Sequence, residues 1–273
     1  MLVLKKISEI KEFTKKQKLL GKKIAFVPTM GTLHFGHLSL IEEAKKHGDI
    51  VIVSIFVNKA QFNDLNDFEK YPRQEKSDLE KLEKTNIDAV FLPNCDEIFG
   101  DNFSFKLIPT NLVDCLCGKA RAGHFDGVAL IISKFFNILN PDFAIFGQKD
   151  FQQLAIIKRL VRDLNFDVEI ISSPTIRENS GLAMSSRNER LSPDGKIKAA
   201  QIFRALQEIK ENPKQLEEIK KNLLKNGFEK IDYLEIRDEK NFALIEDFST
   251  KKPARIFIAI YLEGLRLIDN IAL

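Results

Sequence analysis

Short apolar runs and amphipathic stretches alternate along the first two-thirds of the chain. Ile24–Val27 predicts a brief strand closed by Pro28. Gly36–His47 then carries Leu38, Ile41 and Ala44 at helical spacing, with Gly48 as its C-cap. Ile50–Val57 is almost unbroken and rich in β-branched residues, which suits a strand buried on both faces, as in a parallel sheet. Ser77–Thr85 predicts a helix and Ile87–Leu92 a strand. Val128–Leu139 predicts a strongly apolar helix stopped by Asn140-Pro141. Phe143–Phe146 reads as strand, Phe151–Leu164 as helix and Val168–Ile171 as strand. This alternation predicts an α/β domain built on a mainly parallel sheet.

After Pro174 the texture changes. A polar, turn-rich stretch, Thr175–Asn188, precedes Ser192-Pro193, a good N-cap and N1 pair. Two Lys/Glu-rich helices run to about Asn226. Three strands follow, Tyr233–Arg237, Arg255–Leu262 and Leu265–Ile271, the last two joined by a tight turn at Glu263-Gly264. Helices followed by strands predict a small α+β domain. The chain is therefore expected to divide into residues 1–174 and 175–273, and 273 residues suit two domains.

Composition narrows the function classes. The net charge of +3 is too even to argue for a nucleic-acid or membrane partner, and the Lys-rich helices interleave Glu as a solvated face does. No segment approaches the ~20 consecutive apolar residues of a membrane helix. The first twenty residues lack the continuous apolar stretch of a signal peptide, so a cytoplasmic location is expected. Cys95, Cys115 and Cys117 are odd in number and lack zinc-ligand spacing; they read as incidental or buried thiols in a reducing compartment.

Four segments carry candidate chemistry. The strongest is Pro28-Thr29-Met30-Gly31-Thr32-Leu33-His34-Phe35-Gly36-His37, between the first strand and the next helix. Ligands of open α/β sheets bind at the carboxyl ends of strands, and helix N-termini offer unpaired N–H groups to phosphate. Gly31 and Gly36 let the backbone approach a ligand. His34 and His37, three apart, can face one crevice, where imidazole donates to phosphate or carries charge. Either histidine alone reads better as a cap or a packed residue; two flanking a glycine favour function. The spacing of Gly31 and Gly36 mimics a Walker phosphate loop, but His37 and Leu38 replace its Lys and Ser/Thr. The second segment is Gly147-Gln148-Lys149-Asp150 with Gln153. Lys149 can meet phosphate, Asp150 can hold ribose hydroxyls or simply cap a helix, and Lys149 and Gln153 share a helix face. The third, Met184-Ser185-Ser186-Arg187, sets two hydroxyls and a guanidinium on a mobile linker able to close over a triphosphate; in isolation it would read as a solvated turn. The fourth, Asn58-Lys59-Ala60-Gln61-Phe62, offers neutral amides that, with Gln153, would hold hydroxyls and a carboxylate without quenching a nucleophile.

A strand, then H-x-G-H, then a late M-S-S-R resembles the adenylate-forming nucleotidyltransferase superfamily. Within it the chain most resembles the pantoate–β-alanine ligase family. PTMGTLHFGH, NKAQF, KYPR (Lys70–Arg73), RAGHFDG (Arg121–Gly127), FGQKDFQQL (Phe146–Leu154) and LAMSSRN (Leu182–Asn188) match that family in order across residues 24–190. Lys59 departs from it, where the family usually has Pro, and would leave that loop less stiff. The resemblance implies a Rossmann-like catalytic domain for ATP and pantoate, with a smaller α+β lid. It implies that ATP and (R)-pantoate form pantoyl adenylate, which β-alanine attacks to give pantothenate and AMP. It places Met30 to His37 along the nucleotide, with His34 and His37 on its phosphates and His37 as proton donor to pyrophosphate. Lys149, Ser185, Ser186 and Arg187 would meet the phosphates, Gly147 and Asp150 the ribose, and Ile176 the adenine, with Gln148 and Met184 also along ATP. Gln61 and Gln153, with Asn58, would hold pantoate, Gln61 also lying near β-alanine. Mg²⁺, with ligands the sequence does not single out, and a homodimer are implied as well. The rivals are a transferase joining AMP to a phosphate acceptor, against which RAGHFDG and FGQKDFQQL count, and a non-catalytic nucleotide- or RNA-binding regulator.

Overall fold

Ile24, Ala25, Phe26 and Val27 are fully buried at the centre of the larger sheet in the computed structural model, which describes residues 1–63, 68–248 and 252–273. Two compact units emerge. The first comprises Met1–Thr110, Arg121–Gln148 and Gln153–Pro174; the second comprises Asn111–Ala120, Lys149–Gln152 and Thr175–Leu273. Two short segments from before residue 174 thus group with the second unit.

The first unit is built on β1 (Leu2–Leu4), β2 (Ile24–Thr29), β3 (Ile50–Ile55), β4 (Ala89–Phe91), β5 (Phe143–Gly147) and β6 (Glu169–Ser173). They form one sheet in the order β1-β4-β3-β2-β5-β6, and every pairing is parallel. Between them run α1 (Ile7–Leu19), α2 (Phe35–His47), α3 (Glu75–Glu83), α4 (Cys95–Phe99), α6 (His124–Leu139) and α7 (Phe151–Asp163), while α5 (Leu116–Ala120) belongs to the second unit. All six residues of β3 are buried, as its unbroken apolar run requires. Side chains alternate across the sheet. Ala25, Val27, Val51, Val53 and Val90 pack with Ile41 and Ala44 of α2 and Leu82 of α3. The Phe26, Phe56 and Phe91 rings meet Phe135 of α6 edge-on, at 5.7 to 6.1 Å between centroids. Many of the chain's phenylalanines are therefore core.

Three local features differ from expectation. β2 continues through Pro28 to Thr29, because the β5 ladder engages only Ala25 and Phe26 and Pro28 needs no donor on that side. Gly48 does end α2, but with extended φ of −117°. Glycine is required there because a Cβ would come within 2.7 Å of Ala25. The N-terminal stretch forms β1 and α1, whose buried Ile10 and Thr14 are hidden in sequence by interleaved lysines.

The second unit carries α8 (Pro193–Ala199), α9 (Gln201–Glu211) and α10 (Leu216–Lys225), three helices where the pattern predicts two, because a break at Ala200 separates α8 from α9. Ser192 caps α8, its Oγ accepting from Gly195 N at 2.9 Å with Pro193 at N1. Strands β7 (Lys230–Asp238), β8 (Ala254–Leu262) and β9 (Leu265–Ala272) form an antiparallel sheet in that order. Glu263 and Gly264 both have positive φ, the two-residue turn that matches the strand twist. Leu206, Ile209, Ile219 and Leu223 pack on Leu234, Ile256, Ile258 and Ile260. Among the described residues no helix is long and apolar enough to cross a membrane.

Candidate active site

Strand order reverses at β2. β3 and β4 lie to one side and β5 and β6 to the other, so the crevice beyond the carboxyl ends of β2 and β5 is where such a sheet binds ligands. The turn leaving β2 is backed by α3. Gly31 has φ of +80°, and Thr32, which bears a side chain, also lies in the left-handed region at +52°. That conformation costs a side-chain-bearing residue about 1–2 kcal/mol. The Asp78 carboxylate, fully buried on α3, accepts from Thr32 N and Leu33 N at 2.7 Å each. Thr32 Oγ1 donates to Pro72 O at 2.9 Å, and Lys81 Nζ to Leu33 O at 2.7 Å. The Thr32 and Leu33 side chains are buried in this support, whereas Phe35 stands outside it, 70% exposed.

His34 is the N-cap of α2, its Nδ1 accepting from Gly36 N at 3.1 Å. His37 Nδ1 accepts from His34 N at 3.3 Å. The two imidazoles form a reciprocal capping box, the arrangement usually made by Ser and Glu. Their centroids are 4.1 Å apart, with rings tilted by 33°. An accepting Nδ1 holds no proton, so each neutral ring carries its hydrogen on Nε2. The histidines do cap the helix, and capping fixes each as an Nε2–H donor. The expected supply of unpaired backbone N–H groups is largely taken up here. Those of Gly31, Thr32, Leu33, His34, Gly36 and His37 are all taken within the protein, largely by Thr29, Asp78 and the histidines themselves.

The loop after β3 presents Gln61 through a chain of amides. Asn58 is buried; its Nδ2 donates to Gly127 O at 2.9 Å and to Gln61 Oε1 at 3.1 Å, and its Oδ1 accepts from Ala60 N. Asn58 therefore orients Gln61 and docks the loop on α6, where a Cβ at Gly127 would strike Ala60 O. Gln61 Nε2 in turn donates to Met30 Sδ at 2.9 Å, tying this loop to the histidine turn. The Gln61 carbonyl accepts from His124 Nδ1 at 2.7 Å and from Arg121 Nη2 at 3.2 Å, and His124 Nε2 accepts from Arg121 Nη1 at 3.0 Å. These contacts fix the tautomer of His124. Gln153, on α7, is half-buried, and its amide takes no partner among the described residues.

In the second unit, Lys149 is partly buried, and burial pushes its ammonium below the usual lysine range. Arg187 pushes the same way, Asp150 and Asp269 the other. Lys149 and Arg187 thus sit within electrostatic reach of each other, a pair of cations matched to a polyanion. The Lys149 carbonyl accepts from Asn270 Nδ2 at 2.8 Å. Asp150 is exposed. Residues expected to form a mobile linker are fastened. Met184 N donates to Ile176 O, Glu178 N to Leu182 O, and Arg177 bridges Ala183, which makes a short hairpin. Arg177 holds it to β9 through a two-pronged pair with buried Asp269 at 2.6 and 3.0 Å, its guanidinium stacked 3.9 Å from the Phe203 ring. Ser185 Oγ accepts from Arg187 N, and Asn188 Nδ2 donates to Glu178 and to Ala183 O.

The first unit thus links Met30, Asn58 and Gln61 in one bonded set and pairs His34 with His37, and the second brings Lys149 within reach of Arg187 and bonds Ile176 to Met184. Asp78, Arg177 and Asp269 escape sequence reasoning, because nothing in a charged helix or a polar loop marks the one carboxylate or guanidinium that turns inward. Among the described residues no three His, Cys, Asp or Glu side chains gather as metal ligands.

A parallel sheet with a histidine-capped helix at its point of reversal defines a nucleotide-binding α/β protein of the H-x-G-H class. The pantoate-beta-alanine ligase family model matches residues 2–272. The pantothenate synthetase of Caldicellulosiruptor bescii is 46% identical over 279 residues, covering 99% of this chain and 98% of the relative. The crystal structure of pantothenate synthetase from Thermus thermophilus superposes with a TM-score of 0.92 at 34% identity, over 99% of each chain. That of the Francisella tularensis ligase does so at 0.87 and 36%, over 100% of this chain and 97% of the other. The chain belongs to the pantoate–β-alanine ligase family. Its enzymatic activity is the joining of pantoate to β-alanine.

Proposed function

We propose that this ligase drives the condensation with ATP through an acyl adenylate. The carboxylate of (R)-pantoate attacks the α-phosphorus of ATP, the bond to pyrophosphate breaks, and pantoyl adenylate forms. The amine of β-alanine then attacks the acyl carbonyl, expelling AMP and losing a proton to give pantothenate. The observation that carries this reading is the paired-imidazole cap at the reversal of the sheet, in which each Nδ1 accepts from the backbone and the neutral ring therefore holds its proton on Nε2. The Francisella tularensis relative was solved in complex with beta-gamma ATP and β-alanine, which supports the choice of substrates.

In this reading His34 and His37 hold the phosphates, with His37 giving its Nε2 proton to departing pyrophosphate. Lys149, Ser185, Ser186 and Arg187 balance the charge that builds at the α-phosphorus. Gly147, Gln148 and Asp150 serve the ribose, and Ile176 and Met184 the base. Gln61 and Gln153 hold pantoate through neutral amides, which leave its carboxylate nucleophilic; Asn58 acts by orienting Gln61. Mg²⁺ fits as a counter-ion carried by the phosphates and water, where one or two carboxylates such as Asp150 suffice and a protein cage is not needed. Residues 175–273 serve as a lid that keeps water from the acyl adenylate. The enzyme works in the cytoplasm as a homodimer. The thiols of Cys95, Cys115 and Cys117 are unpaired, as in a reducing compartment. Phe103, Phe105 and Ile108 lie exposed along a stretch without regular structure, a surface suited to a second copy.

The deciding assay supplies ATP, pantoate and β-alanine singly and together. AMP is expected to accumulate only when both acids are present, with one pantothenate per AMP. An adenylated phosphate acceptor instead of pantothenate would overturn the reading. For the dimer, Phe105→Asp, at a residue 76% exposed, is expected to halve the mass measured by light scattering. An unchanged mass would place the subunit contact elsewhere.

A further inference from the structure

Asp78 lies on α3, outside every motif that marks the nucleotide-binding turn, yet it is fully buried and both its oxygens are engaged. Oδ2 accepts from Thr32 N and Oδ1 from Leu33 N, each at 2.7 Å. One turn further along α3, Lys81 Nζ donates to Leu33 O at 2.7 Å. The same two-residue stretch is therefore gripped by an acceptor pair and a donor three residues apart on one helix face. The residue gripped is Thr32, whose left-handed φ of +52° a side chain rarely adopts. Two residues further along the chain is His34, whose ring and carbonyl start α2 and whose N–H orients His37.

We propose that Asp78, with Lys81, is the positioning clamp of the histidine turn. It holds Thr32 in a conformation the chain would otherwise leave, and so sets the entry angle at which His34 and His37 present Nε2 to the phosphates. Two acceptors are required as well as shape. A carboxylate offers an acceptor to each N–H, whereas an amide of the same size would turn an NH₂ against one of them. Glycine at 31 belongs to the same device: its φ is +80°, and a Cβ there would stand 3.0 Å from Asp78 Oδ2. The clamp acts through the histidines and touches no reacting atom.

This proposal rests on the adenylation reading, and the unmodified enzyme tests that reading separately. If the unmodified enzyme shows no pantoate-dependent exchange of pyrophosphate into ATP, the adenylation reading fails; the variants bear on the clamp alone. Asp78→Asn is expected to lower kcat for that exchange roughly 50-fold, within the 10²-fold that a misplacement of about 1 Å can cost. Aminolysis of added pantoyl adenylate by β-alanine should stay within about threefold, because that step does not use the phosphate donors. Adding Thr32→Gly to Asp78→Asn removes the left-handed penalty and should recover about tenfold of the exchange rate. Exchange within threefold of native, equal loss in both half-reactions, or no recovery by Thr32→Gly would each overturn the clamp. Should Asp78→Asn fail to fold, Lys81→Met, which removes only the bond to Leu33 O, carries the same test with the same three outcomes.

Discussion

His37→Ala is expected to lower the rate of pantoate-dependent pyrophosphate–ATP exchange by roughly 10³, the upper range for removing one preorganised donor from a developing anion. Alanine alone would confuse two effects, because His37 caps α2 and, in the proposed reaction, also donates. Its Nδ1 accepts from His34 N, and loss of a cap costs about 0.5–2 kcal/mol. Two substitutions separate the roles. His37→Asn keeps an acceptor where Nδ1 stands but has nothing at the position of Nε2, so it should restore most of the thermal stability and none of the rate. His37→Gln can place an amide N–H near Nε2 but loses the acceptor at Nδ1, so it should recover some rate at the cost of stability. If rate and melting temperature instead rise and fall together across the three, the cap is the histidine's whole function. Exchange near the native rate in His37→Ala would remove it from the site altogether.

The parts of the fold that were legible from sequence are those where one element's burial decides its residues. The continuous run at β3 is buried on both faces and the apolar stretch of α6 packs all round, so periodicity alone locates them. β1 and α1 were not legible, because only Ile10 and Thr14 of α1 are buried and its lysines blur the stripe. The division of the second unit's helices was also hidden, since Ala200 breaks the helix without Gly or Pro to announce it. The histidine pair, Lys149 and Arg187 were legible as residue types able to meet phosphate. The partners that aim them were not. Asp78 is 46 residues from Thr32, and Asp269 is 92 from Arg177. Each is one acid among 39, and only the fold shows which ones turn inward. Asn58 is the instructive case: the loop marks it as an amide offered to substrate, and in the fold that amide donates to Gln61 and Gly127.

Lys149→Met is expected to be inactive in exchange, down roughly 10³, and yet more heat-stable than the parent at pH 7. The two effects share one cause. Burial, assisted by Arg187, holds the Lys149 ammonium below the lysine range, and Asp150 and Asp269 only partly compensate. A lysine whose folded pKa is depressed costs the fold stability at every pH below that pKa, where it is charged in both states. As pH rises from the folded pKa towards 10.5, the native form loses its proton before the unfolded chain does, and the cost fades. The gain from methionine should therefore be present at neutral pH and shrink as the pH is raised through that window. ATP reverses the balance. A triphosphate beside Lys149 and Arg187 favours the ammonium, so binding above the free enzyme's pKa takes up a proton. The profile of kcat/KM for ATP reports the free enzyme, and it should fall on an alkaline limb below the 10.5 of an ordinary lysine. In Lys149→Arg the charge persists at all accessible pH, so that limb should vanish even if the rate is lower. A limb unmoved in Lys149→Arg would assign it to another group. A Lys149→Met protein no more stable than the parent at pH 7 would show that the Asp150 and Asp269 carboxylates outweigh burial, and that the lysine is held for the fold as well as for ATP.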